Sequence, residues 1–335
     1  LMSFSFLADA LLVPGLLPVS LLTLGVILVN GWTDAPNAIA TAVASKTLSF
    51  SAATVLAAAC NLLGALLSAI YFPAVTRTVL ELAQFGGNRQ TALWTLCAAM
   101  AAIVMWSTVA WIFGIPTSES HGLLAGLTGA SLALGGNITN VGLWAWTRVL
   151  LSLPFSVGLG WLLAKVFAAC PLRVQNASFY RCAQRVGTAA MAFLHGAQDG
   201  QKFLSIFLLG LALATGQDST AGPTSLWLIA LCAGTMALGT ALGGRRIIDT
   251  VGRDMVSLDL RRGLAADLAG AGTLLLCTLL GLPVSTTHTK TAAILGAGRH
   301  PNWKVARTVA LAWLLTFPAC GFLGFLCTKL LLFFL

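Results

Sequence analysis

The sequence reads as an all-α polytopic membrane protein made of two inverted-topology repeats, with about 10–12 transmembrane or re-entrant segments and broken helices meeting at the midplane. Three observations predict this. Of the 335 residues, 58% are hydrophobic and 9% charged, and the mean hydropathy is +0.89, too apolar for a soluble globule of this length. Two stretches place an aspartate in Gly-flanked apolar surroundings 165 positions apart, VNGWTDAPNAIAT with Asp34 and FLHGAQDGQKFLSIF with Asp199. Two further stretches repeat at 167 positions, GIPTSESHGLLAGLTGA with Pro116 and His121, and GLPVSTTHTKTAAILGAG with Pro283 and His288.

Along the chain, residues 1–17 are apolar but broken by Pro14, and Pro18 follows, so they read as an interfacial lead-in. No basic n-region or small-residue cleavage site marks them as a signal peptide, so they are expected to belong to the membrane protein itself. The next element runs from Val19 to Lys46 and should be interrupted near Asn30, Gly31 and Pro36. Spans are predicted over 51–72 and 91–113, joined by a loop with Arg77, Glu81 and Arg89. The PTSESH stretch and its tail to Gly135 follow, then an uncharged loop and a span over 143–168. The first repeat is 1–170, a basic cytoplasmic linker covers 171–186 with Arg173, Arg181 and Arg185, and the second repeat is 187–335. It should repeat the order: a broken element over 187–213, spans over 224–243 and 263–282, PVSTTH with its tail to 298, and a last span from about 305.

The formal net charge is +9, yet the basic residues lie between spans rather than in one patch, so orientation explains them better than nucleic acid. If 165–186 faces the cytoplasm, thirteen lysines and arginines fall inside and only Arg77, Arg89, Arg148 and Lys329 outside, with Lys202 and Lys290 left within the membrane. The segment 244–262 reads as a solvated cytoplasmic connection resting on anionic lipid. The eight cysteines show no CxxC spacing and read as reduced packing residues.

An inverted repeat brings equivalent motifs to the midplane from opposite sides, the geometry of a secondary carrier. No nucleotide loop is present, so a coupled ion, Na⁺ or H⁺, should supply the energy. Beyond that ion no cofactor is expected. The prolines of PTSES and PVSTT sit where helices start, which offers free N–H groups and a positive helix end to an oxyanion. Thr117, Ser118, Ser120, Ser285, Thr286 and Thr287 add neutral donors, and His121, His288, Gln201 and Lys202 complete the candidate substrate-binding set. Ser118 and Thr286 can equally be helix N-caps. Phosphate near neutral pH retains protons that a carboxylate can accept, whereas sulfate has none. Asp34 and Asp199 therefore favour phosphate, or hold Na⁺ with Asn37 and the amide of Gln198. Glu119 is a candidate carrier of a coupling proton. Asp34, Asn37 and Asp199 form the candidate Na⁺ ligand set.

Together, NGWTDAPNAIAT, GIPTSESHGLLAGLTGA, HGAQDGQK and GLPVSTTH resemble the paired signatures of the inorganic phosphate transporter (PiT) family, and the resemblance spans both halves. It implies ion-coupled symport of inorganic phosphate, with a sulfate or related oxyanion carrier as the alternative. The chain departs from the family pattern at Thr33 and Gln198, where Asn usually precedes the aspartate, and at Glu119, where Ser or Thr is usual. The expected protein is multi-pass in a bacterial inner membrane, with lipid around it and Ala/Leu spans at 51–72 and 224–243 as scaffold and homo-oligomer contacts. An intramembrane hydrolase needs one nucleophile and one base rather than two near-equivalent copies, so no enzymatic activity is expected. A channel is disfavoured by the broken-helix pairs.

Among the other polar residues, His195 reads as orienting Asp199, His300 as surface, and Asp267 as an interfacial pair or helix-start acid. Gly126, Gly129, Gly296 and Gly298 read as sites of close helix packing.

Overall fold

The computed structural model describes residues 12–82, 85, 88–135, 143–170, 176–216 and 225–334. Most of the lead-in, the uncharged loop after Gly135 and the linker residue Arg173 fall outside them. Among the described residues the only β pairing is an isolated bridge between Ser257 and Arg299.

Helix α1, Leu16–Thr33, gives way to α2, Pro36–Ala44. Pro36 has no N–H to continue the ladder, and the amides of Asp34 and Ala35 both reach the Asn30 carbonyl, at 2.9 and 3.0 Å. The predicted interruption is therefore there, with Asp34 at its centre. Helix α3, Phe50–Tyr71, is capped by Ser49. A short helix α4, Ala74–Leu82, then replaces part of the expected loop. Helix α5, Arg89–Ile112, leads through an extended stretch into the half-helix α6, Glu119–Ala133, and α7 spans Leu143–Ala169.

The second half departs from the expectation at once. Helix α8, Ala177–Thr215, is continuous for 39 residues, so the break predicted within 187–213 does not form. HGAQDGQK contains glycines but no proline, and glycine alone leaves the helical hydrogen bonds intact. Helix α9 is Leu226–Gly243, and α10, Arg245–Asp249, continues into a π turn at Thr250–Asp254. Residues 244–262 are thus no solvated loop: Ile247, Ile248, Val251, Met255 and Val256 are buried. Helix α11, Leu260–Leu279, the half-helix α12, Thr286–Ala297, and α13, Trp303–Phe334, complete the chain.

Among the described residues, seven stretches, counting α1 with α2 as one, are long and apolar enough to cross a bilayer; α8 and the half-helices α6 and α12 bring the segments to ten. At roughly 1.5 Å per residue the half-helices reach only part-way across the hydrocarbon.

The packing is reciprocal. Helix α1 lies on α9 as α8 lies on α3; α6 lies on α13 as α12 lies on α7; α5 leads into α6 as α11 leads into α12. Small residues allow each approach, since a Cβ at Gly31 would strike the Met236 carbonyl and one at Gly196 the Asn61 carbonyl. The tail glycines behave as expected, with Gly129 against Gly321 and Gly296 against Trp161. Each hairpin turns on a glycine with positive φ, Gly114 at 69° and Gly281 at 65°. Their carbonyls accept from Thr250, the first residue of the π turn, at 2.8 Å and from Thr78 of α4 at 3.0 Å. Free Cys97, Cys232, Cys277 and Cys320 are buried as packing residues, whereas Cys170 and Cys182 are exposed.

Candidate functional site

The α1–α2 break, the middle of α8 and the two half-helix starts converge, and their polar side chains are buried to 5% exposure or less. Ser118 and Ser285 are the N-caps of α6 and α12, accepting from the amides of His121 at 3.3 Å and His288 at 3.2 Å. The cap in PVSTTH is thus Ser285 rather than Thr286. This shift of one residue frees Thr286 and Thr287, which both donate to Asp34 Oδ1, Thr286 at 3.0 Å. Asn37 supports the same contact, donating to Thr287 Oγ1 at 3.0 Å and to the Asp34 carbonyl at 2.9 Å.

Asp199 stands beside it. Its Oδ2 accepts from Asn30 Nδ2 at 3.0 Å, lies 3.4 Å from Thr286 Oγ1 and 3.3 Å from His195 Nε2. Its Oδ1 takes the Lys202 ammonium at 2.7 Å. The same ammonium donates to Ser120 Oγ at 2.6 Å and to the Val284 carbonyl at 2.7 Å. The acid of each half therefore engages the hydroxyl stretch of the other half, Asp34 directly and Asp199 through Lys202. Glu119 Oε1 receives the hydroxyls of Thr33 at 2.5 Å and Thr117 at 3.3 Å.

Chemically, three carboxylates and one ammonium share this buried region. Asn30 Oδ1, Asp34 Oδ2, Asn37 Oδ1 and Gln198 Oε1 are buried acceptors with no hydrogen-bond donor among the described residues. Buried oxygens of this kind are the ligands hard cations prefer. Asp34, His195 and Asp199 each bring a ligand atom within 4.8 Å of the others.

Two predicted residues point elsewhere. Gln201 accepts the amides of Val75 and Thr76 at 3.1 and 3.3 Å, which caps α4, and donates to the Ala197 carbonyl at 3.0 Å. Gln198 donates to Thr278 at 3.0 Å and the Leu282 carbonyl at 3.2 Å, and only its Oε1 is left for a ligand. His121 and His288 meet edge to face at 4.5 Å between centroids, backed by Phe317 and Trp313. His288 Nδ1 also lies 2.5 Å from the Ser285 hydroxyl.

A family model described as the phosphate transporter family matches residues 30–176 and 171–324. This chain belongs to the phosphate transporter family. Among its relatives, a protein of Mycobacterium leprae described as a "probable low-affinity inorganic phosphate transporter" is 33% identical, over 88% of this chain and 73% of its own. Proteins with the same description from Bacillus subtilis and Rhizobium meliloti are 32% and 33% identical and are covered to 91%. The solved structure of "the sodium-dependent phosphate transporter" superimposes with a TM-score of 0.80 at 21% identity, over 96% of this chain and all of that one. As a phosphate transporter family member, the chain is a multi-pass membrane transporter and not an enzyme.

In this family member the sequence reading overlooked several groups. Asn30 appeared only as a helix interruption, and Asn61, which meets His195 Nδ1 at 3.2 Å, went unremarked. A lone asparagine within an Ala/Leu span was the available signal. Asp267 is not interfacial: it is fully buried and ion-paired with Lys290, and accepts from Thr41 at 2.5 Å and Thr188 at 2.7 Å.

Proposed function

We propose that this chain is a symporter of inorganic phosphate in a bacterial inner membrane, working by alternating access with Na⁺ as coupling ion. Phosphate binds between the N-termini of α6 and α12, and Na⁺ binds at Asp34, Asn37 and Asp199. The observation that carries this reading is the crossed contact, in which each half's aspartate reaches the other half's hydroxyl stretch.

Each half-helix start presents first-turn N–H groups beyond the one its serine caps, together with the positive end of the helix. Ser120, whose oxygen accepts from Lys202, stands beside these amides with its own O–H as a neutral donor. Neutral donors hold an anion without the full neutralisation that arginine would impose, and release remains possible. The acceptor oxygens around Asp34 suit a hard monovalent cation, and a cation there offsets the acids that would otherwise repel phosphate. The protons that phosphate retains give those acids a further means of accepting it that sulfate lacks. The reciprocal packing of the helices supports two inverted repeats, residues 1–170 and 187–335, whose exchange of conformation would open the site to either side. The name of the sodium-dependent neighbour supports the choice of ion.

Uptake of labelled phosphate into proteoliposomes tests this, with a Na⁺ gradient or a pH gradient imposed separately and excess sulfate as competitor. Accumulation under the Na⁺ gradient, unaffected by sulfate and lost in Asp199→Asn, is expected. Accumulation under the pH gradient alone would replace the ion, and transport of sulfate in place of phosphate would overturn the substrate.

A further inference from the structure

The two aspartate stretches align at 165 positions, which sets Asn37 opposite Lys202. The two hydroxyl stretches align at 167, which sets Thr287 opposite Ser120 and Thr117 opposite Val284. In one copy the carboxylate of Asp34 touches Thr287 directly, and the oxygen Asn37 Oδ1 is left without a donor. In the other copy the ammonium of Lys202 stands between the carboxylate of Asp199 and Ser120. Each centre turns a carboxylate toward the other half's hydroxyl stretch; the second alone holds a fixed ammonium, and its carboxylate also takes Asn30 and lies 3.3 Å from His195.

We infer that the Lys202 ammonium is a tethered cation, fixed in the second copy of a cation site whose first copy takes its ion from solution. Its three acceptors are a carboxylate on α8, a hydroxyl in the first turn of α6 and a carbonyl just before α12, all at 2.6–2.7 Å. Oxygens converging from three separate elements on one buried charge form a coordination shell. An ammonium has three N–H donors, and all three are engaged, so none is left for phosphate. Lys202 is thereby a specificity-determining residue. It supplies at every turn of the cycle a charge that would otherwise be recruited from solution, and it returns with the protein. The coupling stoichiometry is one cation lower than two recruiting sites would give.

Replacing Lys202 by a neutral residue leaves the three oxygens without their cation, and a small alkali cation should take its place. The inference rests on the proposed function in treating Asp34 and Asn37 as the recruiting site and Asp199 as part of the cation centre beside it. Two readouts are made on Lys202→Met, with Lys202→Gln carried in parallel in case the first does not fold. In detergent without phosphate, thermal stability is followed as Na⁺ or K⁺ replaces N-methylglucamine at constant ionic strength. Both variants should be less stable than wild type in N-methylglucamine and should recover saturably with an alkali cation, beyond any effect on wild type. In proteoliposomes, the Hill coefficient for activation of phosphate uptake by that cation should rise by about one over wild type.

Variants whose alkali-cation dependence equals that of wild type in both readouts, with only the KM for phosphate raised, would overturn the inference and make Lys202 a substrate ligand. Wild-type protein without phosphate uptake under any gradient would count against the proposed function instead, and the melting comparison would still decide the role of Lys202.

Discussion

Two buried aspartate–lysine pairs lie among the described residues, and they are satisfied in different ways. Asp267 and Lys290 form a closed unit, in which Lys290 and Thr41 bind one carboxylate oxygen and Thr188 binds the other. It ties α11 and α12 to α2 and α8. Asp199 and Lys202 form an open one, whose contacts reach both half-helix starts and whose neighbours include acceptors with no donor. A buried charge pair is thus no mark of function by itself. What distinguishes the proposed transport centre is a set of buried acceptors that no described residue satisfies.

The repeat sharpens this contrast. Shifted by 167 positions, Asp267 and Lys290 fall on Met100 and Leu123, both buried in one apolar cluster. One half therefore solves with hydrocarbon the packing that the other half solves with charge. The largest expected effect follows from it. Asp267→Asn strands the Lys290 ammonium and should cost about 3–5 kcal/mol of stability, seen as a large fall in melting temperature in detergent. The double variant Asp267→Met with Lys290→Leu copies the other half, and should recover most of that loss and keep transport. A double variant that melts as low as the single one would mean that the closed pair does more than fill space.

At the open pair the effect should appear in transport more than in stability. Asp34→Asn and Asp199→Asn each remove a charged ligand of the proposed cation site, worth about 2–5 kcal/mol in comparable buried contacts, so phosphate uptake should fall about 30-fold or more. Equal losses of melting temperature at Asp199 and Asp267 would erase the distinction drawn here. Ser118→Ala and Ser285→Ala remove matching helix caps, and each should cost about 1 kcal/mol in stability and raise the KM for phosphate several-fold. If only one of them raises KM, the two half-helices are not equal partners in binding. The smallest effect is expected at Glu119→Gln, which keeps an acceptor for Thr33 and Thr117 but removes one of three central carboxylates. The Na⁺ concentration for half-maximal uptake should rise by a few-fold, and loss of pH-driven uptake with Na⁺ activation unchanged would mark Glu119 as a proton carrier instead.

Much of this centre was legible in the sequence, because ionisable residues in lipid-length apolar runs are costly and stand out singly. Asp34, Asp199, Lys202 and the two hydroxyl stretches all announced themselves in that way, and their spacing gave the pairing of the motifs. Partnership was harder to read. Asp267 and Lys290 are 23 residues apart, on helices that a hairpin folds together, and nothing local says that α2 will bring Thr41 to them. Repetition of the first half also suggested a break in α8, whereas the helix runs on and its Gly196 and Gly200 serve close packing against α3. The short helices α4 and α10 escaped because nine and five residues are too few for periodicity to show.

The reciprocal packing also has a consequence for how the protein is made. Asp34 enters the membrane well before its partners, because the hydroxyls that hold it belong to residues 252 and 253 positions later. At roughly 5–20 residues per second, a ribosome needs on the order of 13–50 seconds to deliver them. For that interval the first half lies in the bilayer with a carboxylate unpartnered and with α1 lacking the surface of α9. The insertion machinery must therefore shelter an incomplete bundle until α12 arrives, and a chain truncated before α12 should be met by membrane proteolysis.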